Sequence, residues 1–253
     1  MSKHFKLSFV ALACAAVFGL AAPASAADGV GIIPRHASLG VMAATAYLQP
    51  ARPLFGMETE PATGDVSSKW HTVEAEIEQE ETVLARCRTE QACPAVARDL
   101  LDIVAEGAGR AGRARVGLIN RAVNLAIIPT SDQAQWGVED HWSPPFETLQ
   151  THRGDCEDYA TVKYVALLEA GLSRDDLRIV ILRNFLPNED HAVLAVRVDG
   201  EWLILNDNSL ALVRDSDMVR AQPKFLLDQD GAHRFVPSNR AAAGPRNAVR
   251  AAL

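Results

Sequence analysis

The run Gly154-Asp155-Cys156-Glu157-Asp158-Tyr159 places a cysteine where a loop is predicted to turn into a helix. Gly154 would allow a sharp turn, and Asp155 and Asp158 have the spacing of an N-cap and its partner in a capping box. Cys156 would then lie in the first helical turn, where free backbone amides and the helix dipole favour a thiolate. A thiolate is a strong nucleophile, and the same amides could stabilise an oxyanion. The neighbouring carboxylates would raise the pKa of the thiol unless an imidazolium or a bound cation offsets their charge.

His191 is the best candidate for that imidazolium. It begins a predicted strand after the polar segment Pro187-Asn188-Glu189-Asp190, so its ring could lie at the sheet edge and face the start of the helix. The other six histidines fall in the predicted signal sequence, in loops or on a helix. A lone histidine at a strand end is usually a surface residue, but the cysteine at the helix start favours a catalytic pair.

A third group is needed to orient the imidazole by accepting a hydrogen bond from its second nitrogen. Asn206-Asp207-Asn208 follows the strand that hairpins back beside the His191 strand, which brings these side chains within reach of the ring. Both Asn206 and Asp207 carry an acceptor oxygen. The alternative is ordinary turn chemistry, because Asn and Asp are common at strand ends.

Residues 1–26 are predicted to be a secretory signal peptide. Lys3 and Lys6 flank the start of the apolar residues 7–22, and Ala24-Ser25-Ala26 has the small-residue pattern of a cleavage site. A membrane anchor is disfavoured because the apolar run is shorter than the roughly 20 residues of a bilayer span. The remaining chain carries 23 basic and 32 acidic side chains, which argues against a nucleic-acid partner. It contains no transmembrane segment by sequence, so we expect a periplasmic protein that is soluble after cleavage.

Three cysteines follow the predicted cleavage site: Cys87, Cys93 and Cys156. In an oxidising compartment two close cysteines tend to pair, and Cys87 and Cys93 flank a short predicted turn between two helices. The alternative is two free buried thiols. A Cys87–Cys93 disulfide would leave Cys156 as the free thiol, in a polar and acidic setting that is unusual for a packing cysteine.

The predicted elements form a helical first half and a mixed second half. Apolar periodicity predicts helices over 70–88, 95–105, 110–127 and 156–170, with 131–145 as a loop. Alternation predicts strands over 177–184, 191–198 and 201–205, the last two joined by a tight turn at Asp199-Gly200. This order predicts an α+β fold in which an antiparallel sheet packs on the helix that begins at Cys156.

Three segments together resemble the bacterial transglutaminase-like cysteine proteinases. They are Trp136-Gly137-Val138-Glu139-Asp140-His141-Trp142-Ser143-Pro144-Pro145, Gly154-Asp155-Cys156-Glu157-Asp158-Tyr159-Ala160 and His191-Ala192-Val193-Leu194. The resemblance spans roughly residues 110–234 and implies a papain/transglutaminase-like core, with Cys156 as nucleophile and His191 as base. We therefore divide the chain into a signal peptide (1–26), an irregular lead-in (27–69), a transglutaminase-like peptidase domain (70–238) and a disordered tail (239–253).

The resemblance leaves the third catalytic residue open. The family pattern is a strand that ends in Leu-Asp-Asn, and its Asp-Asn pair matches Asp207-Asn208. Counting from Trp202 without a gap instead puts Asn206 in that place. We prefer Asp207 and keep Asn206 as the alternative.

The resemblance also implies a metal site, because the family includes calcium-dependent periplasmic proteases. In those members the acidic residues that flank the cysteine bind the ion, which implies Asp155 and Glu157 as ligands here. Asp140 and Asp158 could add the oxygen ligands that Ca²⁺ prefers. The alternative is that these carboxylates only cap the helix. Trp142, in the first resembling segment, could shape the pocket at the oxyanion.

The predicted function is hydrolysis of a peptide bond in an exported protein by a Cys-His-Asp/Asn triad. The resemblance implies a substrate such as an adhesin and control by an inner-membrane regulatory partner. Two alternatives stay open: acyl transfer by a transglutaminase or amidase on the same triad, and a binding module that keeps the fold. Selective, pH-dependent alkylation of Cys156 would favour an enzyme over the binding module.

Overall fold

The computed structural model describes residues 52–89 and 92–237. The predicted signal peptide, most of the lead-in and the predicted tail lie outside the described residues. Within the described part of the chain, no helix combines the length and the apolar character needed to cross a membrane.

Six helices and nine strands carry the fold within these residues. The helices are α1 Asp65–Cys87, α2 Ala95–Glu106, α3 Gly112–Ala126, α4 Asp132–Gln135, α5 Pro145–Thr151 and α6 Cys156–Glu169. The strands are β1 Glu58–Pro61, β2 Ile128–Pro129, β3 Arg153–Gly154, β4 Leu177–Phe185, β5 Asn188–Val198, β6 Glu201–Leu205, β7 Val213–Arg214, β8 Ala221–Asp228 and β9 Gly231–Val236. Single 3₁₀ turns occur at Leu54–Gly56, Arg174–Asp176 and Asp215–Asp217.

The predicted α+β arrangement, with helices before an antiparallel sheet, is confirmed. Strands β4, β5 and β6 follow one another in the sheet, and β5 begins three residues earlier than predicted. The hairpin turn between β5 and β6 has Asp199 at φ 52° and Gly200 at φ 80°. Two successive positive φ values suit the turn type that the Asp-Gly pair predicts.

The sheet is wider than the sequence predicts. Its order is β1-β9-β8-β4-β5-β6-β7, and all neighbours are antiparallel. Strand β1 and the beginning of α1 fall in the segment predicted to be an irregular lead-in. The prediction missed β1 because this strand is stabilised by pairing with β9, which lies far along the chain. Such a pairing leaves no signal in the local sequence.

Helix α6 occupies the centre of the fold and is buried on every side. All residues from Asp158 to Leu167 are buried. The helices α2, α3 and α5 contact α6, and so do the strands β4 and β5. A helix packed this completely holds its first residue, Cys156, in a fixed position relative to strand β5.

A disulfide joins Cys87 at the end of α1 to Cys93 just before α2, with a Cα–Cα distance of 4.9 Å. Among the described residues Cys156 is the free cysteine. The structure therefore pairs the cysteines as the sequence predicts.

Candidate active site

Cys156 is the first residue of α6, and the residues before it fix its place. Asp155 is the N-cap, and its backbone N–H donates to Asp158 Oδ2 over 3.2 Å, which is one half of a capping box. Gly154 lies in strand β3, and a Cβ built there would lie 2.5 Å from Asp158 Oδ2. The predicted reason for Gly154 was a sharp turn; the structure instead requires glycine because the Asp158 carboxylate approaches the backbone too closely for a side chain.

The thiol of Cys156 lies between the Glu157 carboxylate and strand β5, the strand that carries His191. Its Sγ donates to Glu157 Oε2 at 3.1 Å and accepts from the Ala192 backbone N–H at 3.3 Å. Burial raises the pKa of Cys156 well above its usual range, and the negative charge of Glu157 raises it further. Burial and the flanking carboxylates therefore both disfavour the thiolate, and the carboxylates act in the direction that the sequence predicts.

The His191 ring is held on one side by the loop that follows β6. Its Nε2 lies 2.9 Å from Asn206 Oδ1 and 3.6 Å from Asp207 Oδ1. Only 10% of the His191 side chain is exposed. Nε2 is therefore the ring nitrogen that faces the loop. The sequence favours Asp207 as the orienting residue, whereas the shorter distance in the structure is to Asn206.

A cavity of about 300 Å³ opens over the thiol and the imidazole. Cys156, His191, Trp142 and Asp140 are among its lining residues. A second cavity of about 380 Å³ shares Trp142 and Asp140 with it and extends along α1 past Lys69. The Trp142 indole N–H donates to Asp140 Oδ1 over 2.9 Å, so the two residues that line both cavities also contact each other. The two cavities together form a cleft that runs from Cys156 and His191 past Trp142 to α1.

A cluster of carboxylates surrounds the start of α6. It contains the four residues predicted as metal ligands and one more: Asp140, Asp155, Glu157, Asp158 and Asp132. In the set Asp132-Asp140-Glu157, and again in Asp132-Asp155-Asp158, one oxygen from each residue lies within 4.8 Å of the others.

Among the described residues, Asp140 is the only member of this cluster that forms an ion pair. Burial raises the pKa of Asp155 to about 8, and the charge of Glu157 adds to that rise. Burial likewise raises the pKa of Asp158 to about 8 and that of Glu157 above its usual range. Lys69 pairs with Asp140 and with Asp65 at the exposed side of the cluster. Asp155 Oδ1 is buried and has no hydrogen-bond partner within the part of the chain that the structure describes. An oxygen-preferring divalent cation therefore fits this donor set.

Asp132 was not predicted, because the sequence places it in a loop more than twenty residues before Cys156. Two backbone contacts bring it to the cluster. Strand β2 pairs in parallel with β3, so that the chain leaving α3 runs beside the residues just before Asp155. The His141 backbone N–H donates to the Asp132 carboxylate, which ties the segment that carries Asp140 to the same point. The sequence signal was weak, because Asp132 is a single acidic residue before Trp136 and the acidic pair Glu139-Asp140 follows it.

Residues 86–233 match the family model described as bacterial transglutaminase-like cysteine proteinase, BTLCP. This span is more than half of the chain and contains both Cys156 and His191. The chain belongs to the bacterial transglutaminase-like cysteine proteinases. No curated protein sequence gave a match.

Solved structures of LapG from Legionella pneumophila share the fold of this transglutaminase-like cysteine proteinase. One LapG structure has 20% identity and a TM-score of 0.50, covering 65% of this chain and 92% of LapG. The EGTA-treated form has 21% identity and a TM-score of 0.50, with coverages of 63% and 86%. The calcium-bound form has 21% identity and a TM-score of 0.49, with coverages of 64% and 92%. At such identities the likeness concerns the fold, and it confirms the predicted transglutaminase-like α+β class.

Proposed function

We propose that this cysteine proteinase is a periplasmic endopeptidase in which Cys156 is the nucleophile, His191 the general base and Asn206 the residue that orients the imidazole. One observation carries the proposal. The thiol accepts from the amide of Ala192, next to His191, while Asn206 occupies Nε2 of the ring and leaves Nδ1 for the thiol. Asp207, whose carboxylate is farther from the ring, contributes charge near the imidazolium rather than its main hydrogen bond.

The chemistry follows from these positions. His191 Nδ1 removes the proton from Cys156, and the thiolate attacks the peptide carbonyl carbon. Backbone amides in the first turn of α6 stabilise the oxyanion, because they have no partners inside the helix. The imidazolium then protonates the leaving amine, and water hydrolyses the thioester that remains on Cys156. Asn206 keeps the ring in the tautomer and the orientation that these two proton transfers require.

The carboxylate cluster would hold Ca²⁺ through Asp132, Asp140, Asp155 and Glu157. Each offers hard oxygen atoms, and the unpartnered Asp155 Oδ1 provides a site for the first bond. Both oxygens of Asp158 already accept hydrogen bonds from backbone N–H groups, those of Ser143 and Asp155. Asp158 is therefore better placed to hold the surrounding backbone than to bind the ion directly. When bound, the ion would supply positive charge that lowers the cost of forming a thiolate at Cys156.

The location and substrate rest on the sequence. The predicted signal peptide directs the chain to the periplasm, where the disulfide between Cys87 and Cys93 is stable. The shared cleft beside Trp142 suits an extended segment of an exported protein, such as an adhesin. An inner-membrane partner that controls access to the cleft is part of the same proposal.

The proposed pair can be tested with iodoacetamide. At neutral pH in calcium, the wild-type Cys156 should be alkylated at least about ten times faster than Cys156 in His191→Ala, because the imidazole no longer promotes thiolate formation. His71→Ala, an exposed change on α1, is the matched control and should leave the rate unchanged. Equal rates in the wild type and in His191→Ala would remove His191 from the mechanism.

A further inference from the structure

Lys163 is a buried amine that the catalytic steps do not use. Its side chain projects from the middle of α6, and the residue is 1% exposed. Within residues 52–89 and 92–237 its Nζ makes no ion pair with a carboxylate. It lies over the Tyr159 ring, 5.6 Å from the centroid. Burying an amine without a charged partner is costly, so a lysine kept at this position needs a specific use.

That use is a hydrogen bond to the loop that orients the imidazole. Lys163 Nζ donates to the backbone carbonyl of Asn206 over 2.8 Å. The Asn124 side-chain amide, on α3, donates to the same carbonyl over 2.9 Å and to the Ser209 carbonyl over 3.1 Å. Asn120 donates to the Ser209 carbonyl as well. The loop that carries Asn206 and Asp207 is therefore fastened to two helices through its backbone.

We propose that Lys163 is a positioning residue, which fixes the Asn206 backbone so that the Asn206 side chain holds His191 Nε2. The inference rests on the proposed function, because it assigns Lys163 a role only through that imidazole. Asn124 is the second member of the same clamp.

The geometry explains why the clamp comes from α6. Cys156 and Lys163 are seven residues apart, which places them on the same side of the helix, about 10.5 Å apart along its axis. One rigid helix thus carries the nucleophile at its first turn and grips the orienting residue two turns later. A shift of the loop relative to α6 would move the imidazole away from the thiol, and a misplacement of about 1 Å can cost about 100-fold in rate.

The charges around Lys163 agree with this arrangement. Burial lowers the pKa of Lys163 to about 7, and the nearby Asp207 opposes that fall. Asp207 also lies near the imidazole, with its Oδ1 3.6 Å from His191 Nε2. Both the neutral and the protonated amine can donate to the Asn206 carbonyl, so the clamp persists through this pH range.

A double-mutant cycle separates positioning from a purely structural role. Lys163→Met keeps the length of the stem but removes the donor, and Asn206→Ala removes the side chain that is positioned. The readout is the rate constant for alkylation of Cys156 by iodoacetamide in calcium. Leu167→Ala, which removes buried volume from the same helix without touching a hydrogen bond to the loop, is the stability control.

We expect Lys163→Met to lower the rate by about 10- to 100-fold in the wild-type background and by less than about twofold in Asn206→Ala. Leu167→Ala should lower the melting temperature and leave the rate within about twofold. In NMR spectra, the His191 Nε2–H signal should be lost in Asn206→Ala and broadened in Lys163→Met. Equal losses from Lys163→Met in both backgrounds would overturn the inference.

A second variant, Asn124→Ala, tests the same inference independently of Lys163→Met. If Lys163→Met does not fold, Asn124→Ala removes the other hydrogen bond to the same carbonyl and should lower the rate in the wild type but not in Asn206→Ala. A wild-type rate in both clamp variants would also overturn the inference, while the proposed function stands. Failure of the proposed function has a different signature, because the wild type itself would then react no faster than His191→Ala.

Discussion

Removing calcium from the carboxylate cluster should lower both the stability and the reactivity of the protein. The perturbation is EGTA treatment followed by desalting, which gives metal-free protein that can be compared with calcium-loaded protein at any pH. The cluster of Asp132, Asp140, Asp155, Glu157 and Asp158 then has to keep its charges apart without a cation. Burial raises the pKa values of Asp155 and Asp158 to about 8, which favours their protonated forms when no cation is bound.

The pH dependence follows from the direction of these shifts. The pKa of Asp158 rises from 3.8 to about 8, so ionising it in the metal-free protein costs on the order of 5 kcal/mol at 1.36 kcal/mol per pH unit. A carboxyl with a raised folded-state pKa stabilises the fold fully below its unfolded value and loses that contribution as the pH rises to the folded value. The metal-free protein should therefore lose stability between about pH 4 and pH 8. Bound calcium needs ionised carboxylates, so its stabilising effect should grow over the same range.

Thermal unfolding with and without calcium measures this effect. At a calcium concentration about 100 times the dissociation constant, binding adds about 2.7 kcal/mol, or roughly 5–10 °C in melting temperature for a chain of this size. The gain should be larger at pH 8 than at pH 6. Asp155→Asn keeps a good N-cap but removes a charge, so it should lose most of the gain. Asp230→Asn, an exposed change outside the cluster, should keep it. Identical melting of metal-free and calcium-loaded wild type at pH 8 would refute the cation site.

Three further predictions concern single contacts. Asn206→Ala should slow alkylation of Cys156 by about 10- to 100-fold, because a hydrogen bond to a charged group contributes about 1.5–3 kcal/mol. Asp207→Ala should slow the alkylation less, and its effect should be smaller in high salt. Glu80 accepts a hydrogen bond from the Phe146 amide, and burial raises its pKa to about 8. The ionisation of Glu80 should therefore cost the wild type up to about 5 kcal/mol of stability as the pH rises from 4.5 to 8. Urea titrations should show a smaller loss over this pH range in Glu80→Gln. Removing the disulfide by changing both Cys87 and Cys93 to Ala should cost about 2 kcal/mol relative to the oxidised wild type, measured by the same titrations without reductant.

The elements that position the site could be predicted because their signals are local. Apolar periodicity gave α1 to α3 and α6, and the Asp199-Gly200 turn gave the β5–β6 hairpin. That hairpin brings the segment after Leu205 beside the strand of His191. The Cys156 motif carried its own helix start in Asp155 and Asp158. The candidate nucleophile and its base therefore follow from short stretches of sequence.

The remaining parts depend on contacts between distant segments. Strands β8 and β9 were not predicted, because β8 contains Pro223 and Lys224 and shifts register against β4 between Ile181 and Leu182. Asp132 reaches the cluster only through the pairing of β2 with β3. Nothing in the sequence around Lys163 indicates that a loop covers this face of α6.

The choice between Asn206 and Asp207 has a similar cause. Both residues follow β6 and both carry an acceptor oxygen, so residue type alone does not show which of them orients the imidazole. Lys163 and Asn124 hold the Asn206 backbone in place. In this position the Asn206 side-chain amide faces His191 Nε2 and lies nearer to it than Asp207 does. A family pattern that ends in Leu-Asp-Asn points to Asp207, whereas the loop geometry favours the residue before it.

The central claim, that Cys156 and His191 cleave a peptide bond in an exported protein, is tested most directly by sequencing new protein N-termini. Exported proteins would be compared by terminal-peptide mass spectrometry from cells that produce the wild type, Cys156→Ala, His191→Ala or the control His71→Ala. We expect at least one new N-terminus that appears with the wild type and the control and is absent from both active-site variants. New amide cross-links without new N-termini would instead indicate acyl transfer. The same set of N-termini in all four strains would show that Cys156 and His191 do not cleave an exported protein.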